Sequence, residues 1–415
     1  MNKYLLTFLL ISSIFSNYVD SIIITGNNNT KEYIIKREIY QTQKSLLDSI
    51  NLIEDKNRLY NLGIFSTVDV EYKNRNYYVN LVESFSILPD LIIDYSELKK
   101  KWSYGLALAH INFLGMNQKL YIGGAFIGEK WFVAAIENPW VVGDHVSFGL
   151  VVFNRFSDNP FYDFTYNENF LSISSGFYKD FENKYSYDIS YYKNEKDLIE
   201  NLGIIPENER DTYKYINFGF NFIKDTRDIY RDPLKGYTLD ISLDYSLSLL
   251  ENNLDVFKFD FSFEKYTLLK SNLFHEPVIS YKFRSLLKYP KFKALPIHEY
   301  EYIGGEDYVR GYSAYQNENP PNFDKIIEVS NILYGHLEFQ STLLEKKDYG
   351  KMEFGIDGLL FMNTGVGSKL FDNFSSSNIL FGYGFGFKFF ITGPPPISVM
   401  FGFNPYGQNF THFQD

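Results

Sequence analysis

The chain has 415 residues, with 28 glycines, 14 prolines, no cysteine and a formal net charge of −11 at pH 7. The absence of cysteine excludes disulfides and thiolate metal sites, and the acidic balance without a basic stripe argues against a nucleic-acid partner. Aromatic residues make up 19% of the chain, yet the mean hydropathy is −0.23, so apolar and polar residues must be interleaved.

The first residues, MNKYLLTFLLISSIFSNYVDS, place Lys3 before an apolar stretch from Tyr4 to Phe15, followed by small polar residues. This pattern predicts a secretory signal peptide over residues 1–17, with cleavage near Ser16. The alternative is a short anchor helix, which is disfavoured because the apolar run is too short to span a bilayer comfortably. We therefore expect an exported protein.

Residues 18–86 have a mixed pattern that predicts one small α+β domain. SIIIT is a short strand, Thr30 is expected to cap a helix over KEYIIKREI, and a second helix over SINLIEDKNRLYNLG ends at Gly63. Two alternating segments, FSTVDVEYK and YYVNLVES, then read as strands around a polar turn. The predicted order is β-α-α-β-β.

After residue 86 the helical period disappears and apolar residues recur at every second position. In ILFGYGFGFKFFI, for example, Tyr383, Phe385 and Phe387 share one face and glycines share the other. Such strands are expected to run 10 to 13 residues, longer than in soluble sandwiches. The pattern favours an outer-membrane barrel with an apolar face toward lipid and a polar lumen. We count sixteen strands, the first expected to begin near residue 91.

The longest connection in this region, residues 288–330, contains YPKFKALP and NENPPNF, which a strand would reject. It also contains YIGGEDYVRGY, in which glycines surround a single arginine. Loops of this length are uncommon without a purpose. The candidate loop-tip residues are Gly304, Gly305, Val309, Arg310, Gly311 and Tyr312.

The chain contains, in this order, the segments VDSIIITGN, LYNLGIFSTVDVEY, VNLVES, INFLG, ENPWV, DTRDIYRDPLKGY and GGEDYVRGY. Together they resemble the POTRA-plus-barrel outer-membrane assembly superfamily, the BamA/TamA type that includes bacterial surface antigen barrels. The first three resemble a POTRA domain, and INFLG and ENPWV resemble the start of the barrel. DTRDIYRDPLKGY resembles the family's Asp-x-Arg…Pro-x-x-Gly turn into a strand, and GGEDYVRGY resembles the tip of its inward-folded loop. The resemblance implies an N-terminal α+β POTRA domain (β-α-α-β-β, residues 18–86) followed by an all-β 16-stranded transmembrane antiparallel barrel (residues 87–415).

The resemblance also implies a role for each matching residue. Loop 288–330 would fold into the lumen, and Arg310 would pair with acidic side chains on the wall. The family motif Phe-x-Asp-x-Gly reads here with Asn363 in place of the aspartate, so the arginine clamp would either be weaker or depend on Glu338, with Asp357 as a second acid. The implied wall partners are Glu338, Asp357, Phe361, Asn363 and Gly365, and the turn motif before a strand comprises Asp225, Arg227, Pro233 and Gly236. We expect Arg310 to plug the lumen and set the loop's register rather than to contact a substrate.

The segment QNFTHFQD predicts a short final strand. Two interpretations stay open: a weakly paired seam with the first strand that favours lateral opening, or a shortened terminus without mechanistic meaning.

For function, the resemblance implies an outer-membrane protein that inserts other barrel proteins or translocates polypeptides. Its POTRA domain would lie in the periplasm of a Gram-negative bacterium and bind client strands by β-augmentation. The implied partners are the outer-membrane bilayer, unfolded outer-membrane or secreted clients, accessory lipoproteins and periplasmic chaperones. The single POTRA domain leaves open a reduced assembly factor, a dedicated transporter or an accessory paralogue.

Two alternatives belong to other classes: a passive porin or surface antigen, and a barrel hydrolase. The six histidines lie far apart in sequence, and neither HExxH nor Gly-x-Ser-x-Gly occurs. We therefore expect no enzyme activity, catalytic residue, metal or cofactor.

Overall fold

The computed structural model describes eleven stretches of the chain, and the predicted signal peptide lies outside them, as do residues 292–294 and 315–327 of loop 288–330. No helix in these stretches is long and apolar enough to cross a membrane. The described residues are 18–96, 101–142, 145–158, 164–198, 211–250, 255–291, 295–314, 328–349, 352–370, 373–391 and 396–414.

The N-terminal α+β domain has the predicted β-α-α-β-β order around a three-stranded sheet. The elements are β1 (Ser21–Thr25), α1 (Glu32–Lys36), α2 (Ser49–Asn61), β2 (Phe65–Lys73) and β3 (Asn76–Glu83). Within the sheet β3 is central, with β1 parallel to it and β2 antiparallel. The two-residue strands Tyr18–Val19 and Ser45–Leu46 pair separately beside it.

Local signals explain where α2 and the hairpin begin and end. The Asp48 carboxylate accepts a hydrogen bond from Ile50 N at 2.9 Å and so caps α2, a contact typically worth about 1 kcal/mol. Gly63 has φ +71 just past the end of the helix. Asn74 and Arg75 both have positive φ, as a two-residue turn between twisted antiparallel strands requires.

The prediction that Thr30 caps α1 is wrong. The helix begins at Glu32 after Lys31, with no side-chain cap. Thr30 is buried, and its hydroxyl oxygen instead accepts a hydrogen bond from Asn112 Nδ2 at 2.9 Å. Sequence pattern could not reveal this because the partner lies 82 residues away.

Apart from the two-residue strands Glu301–Tyr302 and Glu328–Val329, which pair with each other, the remaining described strands form one sixteen-stranded antiparallel sheet whose spatial order follows the chain, as the predicted barrel requires. They are β4 (Ile87–Ser96), β5 (Lys101–Phe113), β6 (Gln118–Ile127), β7 (Lys130–Val142), β8 (Val146–Asp158), β9 (Phe164–Tyr178), β10 (Asn183–Leu198), β11 (Thr212–Asp225), β12 (Gly236–Ser248), β13 (Val256–Leu268), β14 (His275–Pro290), β15 (Asn331–Tyr349), β16 (Met352–Ser368), β17 (Leu380–Ile391), β18 (Ile397–Phe403) and β19 (Asn409–Gln414).

Several strands are longer than the expected 10 to 13 residues. The first begins at Ile87 rather than near residue 91, and β15 has 19 residues. Its C-terminal part, STLLEKKDY, is polar and breaks the alternation on which the sequence-based boundary rests. Beyond Thr342 this part pairs with β16 alone, as far as Tyr349 with Met352. Because backbone pairing continues past the apolar band, hydropathy underestimates the length of the strand.

The two faces of the sheet differ as predicted. On β17, Tyr383 and Phe385 are exposed on the outer surface, whereas Gly382 between neighbouring aromatics is buried. On β16, Leu360 is 57% exposed and its neighbour Phe361 only 3%. Apolar side chains therefore cover the outside of the sheet, as lipid contact requires.

The sheet curls around the described part of loop 288–330. Glu299 in this loop contacts Tyr215 on β11, while Arg310 contacts Met400 on β18, so the loop lies between distant strands of the wall. Within the described residues, no ladder pairs β4 with β19, the two ends of the sheet order.

Candidate functional site

The first part of the inward loop is anchored by a buried ion cluster. Lys288 on β14 is 5% exposed at its side chain and lies 3.2 Å from Glu299 and 3.1 Å from Glu301. Tyr215 on β11 donates a further hydrogen bond to Glu299. Glu299 and Glu301 of the loop therefore lie against the inner face of the wall.

The loop tip is held by apolar side chains on both sides of the arginine. Ile303, Val309 and Tyr312 are each 1% exposed or less and share one core cluster with wall residues. Burying each such side chain contributes roughly 1.5–3 kcal/mol. Gly305 has φ +96 and donates its N–H to Tyr312 O at 2.9 Å, which closes the tip on itself.

Arg310 is 3% exposed and points at β15 and β16. Its Nε donates to Asn363 Oδ1 at 3.1 Å, and its Nη1 lies 3.5 Å from Glu338 Oε2. The guanidinium stands over the Phe361 ring, 3.8 Å from the ring centroid. Glu338 is thus the ionic partner, Asn363 the neutral one, and Phe361 the stacking surface.

Asn363 also connects Arg310 to the neighbouring strand. It is 1% exposed, and its Nδ2 donates to Tyr334 Oη at 2.7 Å. His336 Nε2 lies 3.1 Å from Arg310 Nη2 and 3.3 Å from Glu338 Oε2. This histidine, absent from the predicted set, alternates with Tyr334 and Glu338 on the inner face of β15.

Asp357 and Gly365 lie apart from this cluster in different ways. Asp357 accepts a hydrogen bond from Gln340 Nε2 at 2.6 Å rather than meeting Arg310. Asp357 and Asn363 share the inner face of β16, but they are six residues apart, which separates them by about 20 Å along the strand. Gly365 faces the loop itself, since a Cβ there would lie 2.8 Å from Val309 Cγ2.

Glycines on three adjacent strands form a seat for the loop backbone. A Cβ on Gly382 would lie 1.8 Å from Arg310 O, and one on Gly402 would lie 2.5 Å from Gly311 N. Gly311 itself has φ +106 and faces Phe403 O. Gly382 and Gly402 therefore let backbone meet backbone without a side chain between them, whereas Gly365 makes room for the Val309 side chain. These three residues are hereafter the glycine seat (Gly365, Gly382 and Gly402).

Two polar residues of the last hairpin complete the site and were missed by sequence reasoning. Gly311 N donates to His412 Nε2 at 3.2 Å, and Asn404 Nδ2 donates to Gly311 O at 2.8 Å. His412 is 0% and Asn404 2% exposed. Both are single residues outside any motif, so only the register of the last strands reveals them.

The predicted turn motif forms a turn between β11 and β12 that is held by hydrogen bonds between its own residues. Arg227 binds Asp225 through two parallel hydrogen bonds of 2.9 and 2.6 Å, the strong geometry for this pair. Gly236 has φ +103, and a Cβ there would lie 2.3 Å from Thr226 O. Pro233 is buried. The motif thus folds residues 226–235 into a defined shape.

This turn connects the N-terminal domain to the far wall of the barrel. Asp232 accepts from Gln340 Nε2 at 2.7 Å and pairs with Lys346. Burial disfavours the charged carboxylate, but Lys346, Lys388 and these hydrogen bonds outweigh it and hold the pKa of Asp232 below its usual value. On its other side the turn binds Asn61 of α2 through Asp228 O at 3.0 Å.

The N-terminal domain docks on turns and strand ends of the barrel. Lys31 N donates to Gly115 O at 2.9 Å, and the Arg37 guanidinium stands 4.2 Å from the centroid of Trp140. Tyr60 Oη donates to Glu353 Oε2. A cavity of about 680 Å³ lies between the end of α2 and the loop tip, lined by Asn61, Leu62, Gly63, Arg310, Glu338 and Met400 among others.

Comparisons with known proteins agree with this architecture. Residues 112–414 match the Omp85 superfamily domain, and residues 17–84 match a POTRA family described as a surface antigen variable number repeat. Among solved structures, the chain is similar to BamA from Haemophilus ducreyi lacking POTRA domains 1-3, with 19% identity, a TM-score of 0.61, and coverage of 96% of this chain and 83% of that one.

Similarity extends to CdiB from Escherichia coli, with 12% identity, a TM-score of 0.59, and coverage of 96% of this chain and 75% of that one. CdiB from Acinetobacter baumannii gives 14% identity, a TM-score of 0.53, and coverage of 96% and 73%. At these identities the structural matches speak to the fold, whereas the family match spans most of the chain. The chain belongs to the Omp85 superfamily.

Proposed function

We propose that this protein acts in the outer membrane of a Gram-negative bacterium, where it inserts other β-barrel proteins or translocates polypeptides. Membership of the Omp85 superfamily supports this general role. The observation that carries the proposal is the occupied lumen. The loop tip contacts five consecutive strands, β15 to β19, through Glu338, Asn363, Gly382, Met400 and His412.

An occupied lumen distinguishes this proposal from a passive porin, which needs an open path for solutes. Here the N-terminal domain covers one end of the 680 Å³ cavity, and the seated loop tip bounds the other. A barrel that has both a covering N-terminal domain and a seated loop tip is suited to the regulated handling of a polypeptide. In this account Arg310 keeps the loop in register and touches no client.

The POTRA domain is proposed to capture client strands in the periplasm by β-augmentation. Its sheet order leaves β1 and β2 at the two edges, and an edge strand offers unpaired backbone groups to an extended segment. We assign the role to β2, since it has nine residues against the five of β1. Its exposed Asp69 and Glu71 keep the edge soluble while it is empty.

Reconstitution tests the function directly. The purified full chain is placed in liposomes, an unfolded outer-membrane barrel is added, and its folded fraction is followed by heat-modifiable gel mobility. We expect faster client folding than in empty liposomes, and a loss of that gain in an Asp69→Pro or Val70→Pro variant. Neighbouring residues point their N–H groups in opposite directions, so one of the two prolines blocks the free edge and spares the pair with β3.

The same liposomes distinguish the proposed function from that of a passive porin. A passive porin would leave client folding unchanged and let small sugars equilibrate in a swelling assay. Solute flux without faster folding of a barrel client or passage of a secreted one would overturn the proposal.

A further inference from the structure

Both backbone polar groups of Gly311 are bound by the last hairpin of the barrel. Its N–H donates to His412 Nε2 at 3.2 Å, and its carbonyl accepts from Asn404 Nδ2 at 2.8 Å. Because Nε2 of His412 accepts this hydrogen bond, the ring proton must lie on Nδ1. Both side chains are almost completely buried, so water does not compete for these bonds.

Asn404 also organises the turn of that hairpin. Its Oδ1 accepts from Tyr406 N at 3.0 Å and from Gln408 N at 3.2 Å. The same side chain therefore shapes the turn between β18 and β19 and binds the loop tip. A shift of the loop tip would change the support of the turn.

The hairpin needs this support because β19 is short and lies at the end of the sheet order. It pairs with β18 over six residues, from Ser398 with Gln414 to Phe403 with Asn409. Strands β15 and β16, by contrast, pair over sixteen positions. In the described part of the chain β19 has no second ladder partner. Its contacts with the loop tip inside the barrel therefore contribute a large share of what holds this strand in place.

We propose that His412 and Asn404 are positioning residues through which the seated loop tip holds the terminal hairpin β18–β19. Withdrawal of the loop tip then frees the last strand, and loosening of the hairpin frees the loop tip. The inference concerns the barrel alone and does not depend on the identity of a client. Two elements linked in this way must affect each other reciprocally.

Hydrogen exchange of the full chain in detergent micelles or nanodiscs tests the linkage. In His412→Leu, the Gly311 N–H loses its acceptor while staying buried, which destabilises the contact. We expect amides in 303–313 and in 397–414 both to exchange about tenfold faster, the scale set by one unsatisfied buried donor. His412→Gln keeps an acceptor oxygen and is expected to restore protection in both segments.

The reverse direction uses Ile303→Ala, which loosens the loop tip at a residue outside the hairpin. Amides in 397–414 are expected to exchange faster in this variant as well. Thr411→Val is the matched control, since Thr411 is exposed beside His412 on the opposite face of β19. Heat-modifiable gel mobility verifies that each variant has formed its barrel.

Three results would overturn the proposal. One is faster exchange in 397–414 alone for His412→Leu, which would assign the histidine to the hairpin only. Another is unchanged protection of 397–414 in Ile303→Ala. The third is a failure of His412→Gln to differ from His412→Leu, since that would mean the acceptor atom is irrelevant.

Discussion

At the scale of the residue, Arg310 combines one charged partner, one neutral partner and one aromatic ring. Its pair with Glu338 is shielded, with side chains 3% and 15% exposed, whereas Arg75 and Asp20 are 44% and 50% exposed. Removing one partner of a buried pair typically costs about 3–5 kcal/mol, while an exposed pair is worth about 0–1 kcal/mol. The shielded pair of Arg310 therefore helps to fix the position of the loop, whereas the exposed pair of Arg75 adds little to the stability of its own segment.

Asn363→Asp should strengthen the clamp. The carboxylate would face Arg310 Nε, now 3.1 Å from the amide oxygen, and charge-assisted hydrogen bonds are about twice as strong as neutral ones. Tyr334, which now accepts from Asn363, can rotate its hydroxyl to donate instead. The compact form on unheated gels should therefore persist to a higher temperature than in the wild type.

Asn363→Leu is the matched control, because it removes both hydrogen bonds at similar volume and should lower that temperature. A lower transition for Asn363→Asp as well would contradict the assignment of Asn363 as an acceptor for Arg310.

The family resemblance predicts that Arg310 pairs with an acidic residue of the wall, and the alternation along β15 places Glu338 on the polar face. The same pattern places Asp357 on the correct face of β16 but at the wrong depth, since contact with Arg310 depends on where the loop stops along that strand. It also places His336 on the polar face of β15, although its contact with Arg310 follows only from the position of the loop. His412 and Asn404 carry no local signal, because their roles follow from strand register and from a contact 101 residues apart in sequence.

At the scale of the element, the inward loop depends on the glycine seat, where backbone atoms approach too closely for any side chain. The alternating glycines of β17 indicated an inner face that needs little volume, which the sequence could predict. Which of them meets the loop is set by the pairing of β17 with β16 and β18, for example Asn363 beside Gly382. Local pattern does not contain that register.

Gly382→Ala should displace the loop tip although it adds a single methyl group. The new Cβ would lie 1.8 Å from Arg310 O, a backbone atom that cannot rotate away. We expect thermal stability to fall and amides in 303–313 to lose protection in hydrogen exchange. Gly335→Ala on β15 is the control, since its nearest atom would be Thr364 Cγ2 at 3.4 Å. Equal effects of the two substitutions would contradict the glycine seat.

At the scale of the whole molecule, the turn after β11 links the POTRA domain to the wall that carries the Arg310 site. Asn61 of α2 binds the turn, and Asp232 of the turn binds Gln340 and Lys346 on β15. Glu338 lies two residues from Gln340 on the same face. The sequence predicted the turn as a motif but not its position, because its contacts join segments more than 100 residues apart.

Release of the POTRA domain should open the lumen on that side. The pair Tyr60→Phe and Asn61→Ala removes the hydrogen bonds to Glu353 and to the 226–235 turn while keeping α2 intact. We expect more frequent and larger conductance steps in planar bilayers, because the 680 Å³ cavity loses part of its lining. Lys36→Ala removes an exposed pair with Glu32 and serves as the control. Unchanged conductance in the double variant would show that docking does not limit access.

We propose that this barrel handles other polypeptides and needs its seated loop to do so. Quantitative mass spectrometry of the outer membrane and culture medium tests this proposal, after depletion of the protein and complementation with wild type or Arg310→Ala. We expect loss of outer-membrane barrels, or of a secreted protein, with full rescue by the wild type and poor rescue by Arg310→Ala at equal abundance. An unchanged proteome on depletion would overturn the proposal and leave a passive barrel.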